Sequence, residues 1–160
     1  MTKIEYTEAD QHGLDMVGPL WQKLREHHKM RSQHFAGVFE KMTFNQRKKE
    51  LLDKSAKGVM RIDFAKDAET GELVGYCVST ISGDKQGEID SIYIEAGYRR
   101  GGIGDTFMKR ALNWMESQSV KKKVIGVAGG NEEVFPFYRR YGFFPRVTIL
   151  GQAGPGEAER

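Results

Sequence analysis

The chain has 160 residues, with 25 Lys and Arg against 22 Asp and Glu, a balance of +3. That length fits one domain with a single core, and so small an excess of positive charge excludes the basic composition of a nucleic-acid-binding protein. A lone cysteine, Cys77, excludes an intrachain disulfide, and no apolar run approaches the ~18 residues of a membrane span, so a soluble, cytoplasmic protein without a membrane partner is expected.

Ile4 to Thr7 predicts a short strand. Leu14, Val17, Trp21 and Leu24 then recur at helical spacing, and Pro19 must sit in a first turn or kink the helix, which ends near Lys29. Thr43-Phe44-Asn45-Gln46 has capping-box spacing, and Phe44, Leu51, Leu52 and Ala56 give the second helix its apolar face up to a stop at Gly58. Val59 to Lys66 alternates as a strand, Met60, Ile62 and Phe64 opposing Arg61 and Asp63; with Leu73 to Ile81 and Gly87 to Ile94 it predicts an antiparallel meander. Apolar residues from Ile103 to Met115 give a helix over 103–118, and Lys121 to Lys123 read as a solvated strand entry. Val124 to Ala128, reached through that helical crossover, should run parallel to the fourth strand. A helix near Glu132 to Tyr141 must start late because of Pro136. Phe144 to Leu150 predicts one more strand, and Gly151 to Arg160 a flexible tail behind a single domain at 1–150.

The chemistry concentrates between Gly87 and Met115, where a β-favouring run meets three glycines in four positions, Gly101, Gly102 and Gly104, and then a helix. Glycines let backbone N–H groups approach a ligand closely, and the helix start adds free N–H groups and positive dipole, which together suit phosphate. Asp105 and Thr106 follow Gly104 where a P-loop needs Lys and Ser or Thr, so nucleotide triphosphate chemistry does not fit. A dinucleotide fingerprint also fails, because Phe107 fills its third small position and Lys121 to Lys123 lie where its acidic residue belongs.

What fits is Arg-x-x-Gly-x-Gly at Arg99, Gly102 and Gly104 after Ile92-Tyr93-Ile94, followed downstream by Asn131 and by Phe137-Tyr138-Arg139-Arg140-Tyr141-Gly142-Phe143. This pair of motifs resembles the signature of the GNAT superfamily of acyl-CoA-dependent N-acetyltransferases, closely over residues 73–149 and only in general layout over the first 60. The resemblance implies an α/β (α+β) GNAT fold: a mixed, mostly antiparallel sheet of six to seven strands flanked by four helices, with the fourth and fifth strands splayed. A seventh strand exceeds the chain's length, so a partner subunit in a homodimer is one way to complete the sheet. The co-substrate implied is acetyl-CoA and the partner an amine acceptor of unknown kind.

By that resemblance the cofactor-binding residues are Ile92, Tyr93 and Ile94 along the pantetheine arm, and Arg99, Arg100, Gly101, Gly102, Ile103, Gly104, Asp105 and Thr106 at the pyrophosphate. Asn131 and Tyr138 complete that set. The alternative for Arg99 and Arg100 is a pair of surface cations, and for Asn131 a helix N-cap. Tyr138 maps to the acid that protonates the leaving thiolate, although ordinary core packing would also explain a tyrosine among Phe135, Phe137 and Tyr141. Glu88 and Asp90, two apart on a strand and so expected on the face of Ile92 and Ile94, are the candidate bases. A solvated acidic edge with a water chain as base is their alternative. Ile94 would donate its amide to the oxyanion. Cys77, in apolar surroundings, is not read as a nucleophile, and His27, His28 and His34 lack metal-site spacing, so no metal is expected. The segment His27 to Phe35 faces the acceptor in this family; its basic character fits an anionic amine or simply a solvated loop. A GNAT-fold module that binds acyl-CoA without turnover is the alternative function.

Overall fold

A computed structural model describes residues 2–155 and Glu157. Five strands form one sheet in the order β1-β2-β3-β4-β5: β1 (Ile4–Ala9), β2 (Val59–Asp67), β3 (Leu73–Ile81), β4 (Gln86–Ile94) and β5 (Lys122–Ile125). Neighbours through β4 pair antiparallel, and β5 joins β4 in parallel, as a crossover through a helix requires.

One face of the sheet is covered by α1 (Gly18–Arg31) and α3 (Phe44–Ser55), the other by α4 (Ile103–Ser117) and α5 (Phe135–Arg139). On the first face Leu14, Trp21 and Leu51 pack against Met60, Ile62, Phe64, Tyr76 and Val78. On the second, Ile103, Phe107, Met108, Ala111 and Met115 of α4 pack against Cys77, Ile81 and Ile89. Each large apolar side chain removed from water contributes about 1.5–3 kcal/mol, so α4 is held chiefly by that stripe.

Local chemistry explains the boundaries. Pro19 sits in the first turn of α1, where its missing N–H costs nothing. A complete capping box between Thr43 and Gln46 opens α3. Pro136 delays the last helix: a 3-10 turn at Glu132–Val134 comes first, and α5 spans only Phe135–Arg139. A further short helix, α2 (Ala36–Lys41), stands between α1 and α3, where no helix is expected from the sequence.

The expectation of six to seven strands is corrected to five among the described residues. Phe144 to Leu150 has β propensity but no regular structure, and its Phe144, Val147, Ile149 and Leu150 are 64–91% exposed. Propensity for the extended state makes a strand only where an edge pairs with it, and here none does. The fifth strand is also shorter than expected, ending at Ile125 instead of Ala128. Gly156 and residues 158–160 of the expected tail lie outside the described residues, while Gly151 lies beside Phe35.

Candidate active site

The parallel pairing of β4 with β5 runs from Gln86 and Lys122 only as far as Ile89 and Ile125, and β4 then continues to Ile94 paired with β3 alone. The strands open into a cleft of about 570 Å³ between Ile89–Ile94 and Ile125–Ala128. The expected splay of the fourth and fifth strands is therefore present.

The open edge of β4 is polar. Glu95 N–H donates to Val74 C=O of β3 at 2.8 Å, so the alternation of an antiparallel ladder turns the N–H and C=O of Ile94 and Ile92 away from β3, toward the cleft. The Ile94 carbonyl is taken by Arg99 Nε at 2.9 Å, and the guanidinium lies 5.5 Å from the centre of the Tyr93 ring. What remains is a strand edge with unused backbone partners, the setting for an added extended chain.

Beyond Ile94 the chain turns at Arg100 (φ 66°) and Gly102 (φ 88°) into α4. A Cβ on Gly102 would meet nothing within 4 Å: this glycine serves the turn and leaves its surroundings open. No side chain caps α4, and the backbone and hydroxyl of Thr106 both bond back to Gly102 C=O at 3.0 Å. The amides of Ile103, Gly104 and Asp105 are thus left without helical partners beside Arg99 and Arg100. The Ile103 side chain is buried in the core, so only its backbone can serve a ligand. Gly104 lets α4 approach α5: a Cβ there would stand 3.2 Å from the Phe137 ring. Asp105 ties the same helices together by accepting from Arg140 at 2.9 Å and from the Tyr141 hydroxyl, bonds that hold its carboxyl below the usual range. Gly101, Ile103 and Thr106 are not among the lining residues of the cleft, whereas Arg99, Arg100, Gly102, Gly104 and Asp105 are.

Tyr138 lines the cleft from α5 and is 8% exposed; burial raises its phenol above the ordinary value near 10. It keeps its proton throughout the neutral range. Asn131 also lines the cleft, but it makes no cap bond, and its Oδ1 meets His27 Nε2 at 3.2 Å. Gly130 before it passes so close to Arg31 C=O that a Cβ would lie 2.2 Å from the oxygen, which fixes this loop against the end of α1.

The acidic pair differs from its sequence reading. β3 pairs Val78 with Ser91 and then Ser79 with Ile89, so Asp90 is the extra residue of a bulge. The bulge reverses the alternation: Ile92 and Ile94 pack with the α4 core, while Glu88 and Asp90 face α3. Lys54 of α3 bridges them, 2.7 Å from Glu88 and 2.5 Å from Asp90, and the Thr80 hydroxyl donates to the other Asp90 oxygen at 2.7 Å. Burial raises the Asp90 carboxyl, although the bonds from Lys54 and Thr80 oppose the shift. Burial likewise works against the Lys54 ammonium, yet its two carboxylate partners hold it above its ordinary value. Asp90 reaches the cleft lining; Glu88 does not.

His28 belongs to the segment His27 to Phe35 that the family resemblance turns toward the acceptor, with no individual role expected of it. It lines the cleft from α1, one turn after Leu24, and its Nδ1 is buried without a partner. Burial pushes its imidazole down to about 4, with His27 adding to the effect, so it is neutral at pH 7. A smaller cavity of about 160 Å³ adjoins here, sharing His28, Asp90 and Ser91 with the cleft and adding Arg25, Phe39 and Arg47. The sequence signals for this region are the helical spacing of Trp21 and Leu24 and the basic segment from His27 to Phe35. The Cys77 thiol is fully buried and pushed up to about 12 by that burial, which leaves it unreactive.

Comparison with known proteins agrees with this geometry. The family model described as the acetyltransferase (GNAT) family matches residues 21–143. A GCN5-related N-acetyltransferase from Ralstonia eutropha JMP134 superposes with a TM-score of 0.73 at 18% identity, over 94% of this chain and 98% of that one. A ribosomal-protein-alanine N-acetyltransferase from Brucella melitensis biovar Abortus 2308 gives 0.64 at 16% identity, over 95% and 100%. An aminoglycoside N-acetyltransferase in complex with CoA gives 0.63 at 11% identity, over 97% of each chain. No curated protein sequence matches this one.

Proposed function

Because the chain belongs to the GNAT acetyltransferase family, we propose that it moves an acetyl group from acetyl-CoA to a primary amine by direct attack. The observation that carries this reading is the junction of an unpaired β4 edge with the uncapped start of α4, which gathers free backbone amides and two arginines at one end of a single cleft. The amides from Gly101 to Gly104, with Arg99 and Arg100, suit a pyrophosphate. The Ile92 and Ile94 edge suits the amide-bearing pantetheine arm, and Asn131 stands on the opposite wall. A neighbour of the same fold is a CoA complex, which supports the choice of donor.

When bound, the thioester supplies an activated acetyl group. The Ile94 N–H, turned to the cleft, donates to the acyl oxygen as charge gathers there. Tyr138, still protonated far above neutral pH, gives its proton to the departing sulfur. The acceptor must attack as a neutral amine, and Asp90 at the cleft wall is placed to take its proton, its carboxylate held in position by Lys54 and Thr80. The test is release of free thiol from acetyl-CoA across a panel of amines. Acceptor-dependent release is expected; tight CoA binding with no release for any amine would replace the enzyme by an acyl-CoA-binding module.

A further inference from the structure

We propose that the smaller cavity beside the cleft is an acceptor subsite for a carboxylate, and that the amine acetylated here belongs to a small amino acid with an apolar side chain. This rests on reading the cleft as an acyl-transfer site. The cavity, about 160 Å³, joins the cleft at His28, Asp90 and Ser91. Its size admits a single amino-acid side chain, not a folded peptide segment.

Its walls combine apolar and cationic side chains. Trp21, Phe39 and Met42 supply the apolar surface, and two guanidinium groups, Arg25 and Arg47, enter from α1 and α3. Arg25 donates to Met42 C=O at 2.9 Å and to Glu26 at 3.2 Å, but its Nε is buried with no partner. His28 Nδ1 is buried and unpartnered in the same wall. Arg47 donates to Asp90 C=O at 2.9 Å and to Glu50 at 3.2 Å, and Glu50 is 61% exposed. The one carboxylate lining the cavity, Asp90, is already held by Lys54 and Thr80.

The carboxylate that each guanidinium meets, Glu26 or Glu50, is itself exposed, so a ligand carboxylate entering the cavity can take its place. Arginine is the side chain best shaped to receive it. Placed there, an α-carboxylate would set the neighbouring α-amine beside Asp90, at the mouth of the cleft. Polyamines would bring more positive charge to two arginines, and an amidated carboxyl would not compensate them.

The test is calorimetric titration of the CoA-loaded protein with L-leucine, L-methionine and L-phenylalanine, each paired with its amide. At least one free amino acid should bind ten-fold or more tightly than its amide, and Arg25→Met should erase that preference while Arg25→Lys retains part of it. If no amino acid binds more tightly than its amide, or if the preference survives in Arg25→Met, the carboxylate subsite is wrong. Binding decides this without turnover, so a failure of the transfer reading in the thiol assay and a failure of the subsite are separate results.

Discussion

The two ends of β4 handle their polar groups in opposite ways. At Ile92 and Ile94 the side chains are packed with α4 and the backbone is left open toward the cleft. At Glu88 and Asp90 the side chains carry the charge, and they are locked to Lys54 and Thr80. The bulge at Asp90 separates the two regimes. The end we propose for the donor is therefore built from main chain, which tolerates many side chains but few changes in glycine. The end we propose for the acceptor is built from side chains drawn from α1, α3, β3 and β4, and depends on each of them.

The comparison breaks most visibly at the donor end. Gly102→Glu should weaken CoA binding by more than ~10²-fold in calorimetry, because a side chain and a negative charge would stand among the open amides. Wild-type affinity in that variant would mean the phosphate cradle lies elsewhere. Tyr138→Phe should leave CoA affinity in place and lower kcat by about 10² to 10⁴-fold, the range for a positioned acid. Burial raises the phenol, so the alkaline limb of the wild-type rate should lie above pH ~10 and vanish in the variant. Full kcat in Tyr138→Phe would end that assignment.

These donor-end predictions rest on residues legible in the sequence, and the reason is local. Strands β1 to β4, the capping box at Thr43 and Gln46, the late start forced by Pro136 and the turn at Arg99 to Gly104 are all specified by neighbours within a few positions. The bulge is not: one extra residue in β4 leaves no mark in the alternation, so Glu88 and Asp90 appeared to share a face with Ile92 and Ile94. Phe144 to Leu150 misled in the reverse sense, carrying local propensity without an edge to pair with. Lys54, Arg25, Arg47 and His28 meet β4 only through packing of α1 and α3, a relation with no sequence spacing to betray it.

At the acceptor end the expected effects are smaller and appear first in stability. Lys54→Met removes the counter-ion of a buried Asp90 and should cost roughly 1–3 kcal/mol in chemical denaturation, discounted because the Lys54 side chain is itself 36% exposed. An Asp90→Asn change in that background should recover part of the loss. Asp90→Asn alone should depress the acetylation rate most below neutral pH, with the rate recovering as the acceptor loses its proton to solvent; an unchanged profile would leave water as the base. His28 gives the smallest signal. Its folded value near 4 lies below the unfolded value of about 6.5, so the unfolded chain binds its proton first. The stability difference between wild type and His28→Gln should be constant above pH ~6.5 and shift against the wild type as pH falls toward 4.

We propose that one cleft binds acetyl-CoA along the open edge of β4 and passes its acetyl group to an amine. Isotope-labelled acetyl-CoA, incubated with the protein and an amine panel and followed by mass spectrometry, reports that transfer itself. Labelled acetyl should appear on the amine with wild-type protein, fall sharply with Tyr138→Phe and be absent with Gly102→Glu. Label on no amine despite tight CoA binding, or transfer undiminished in Gly102→Glu, would contradict it.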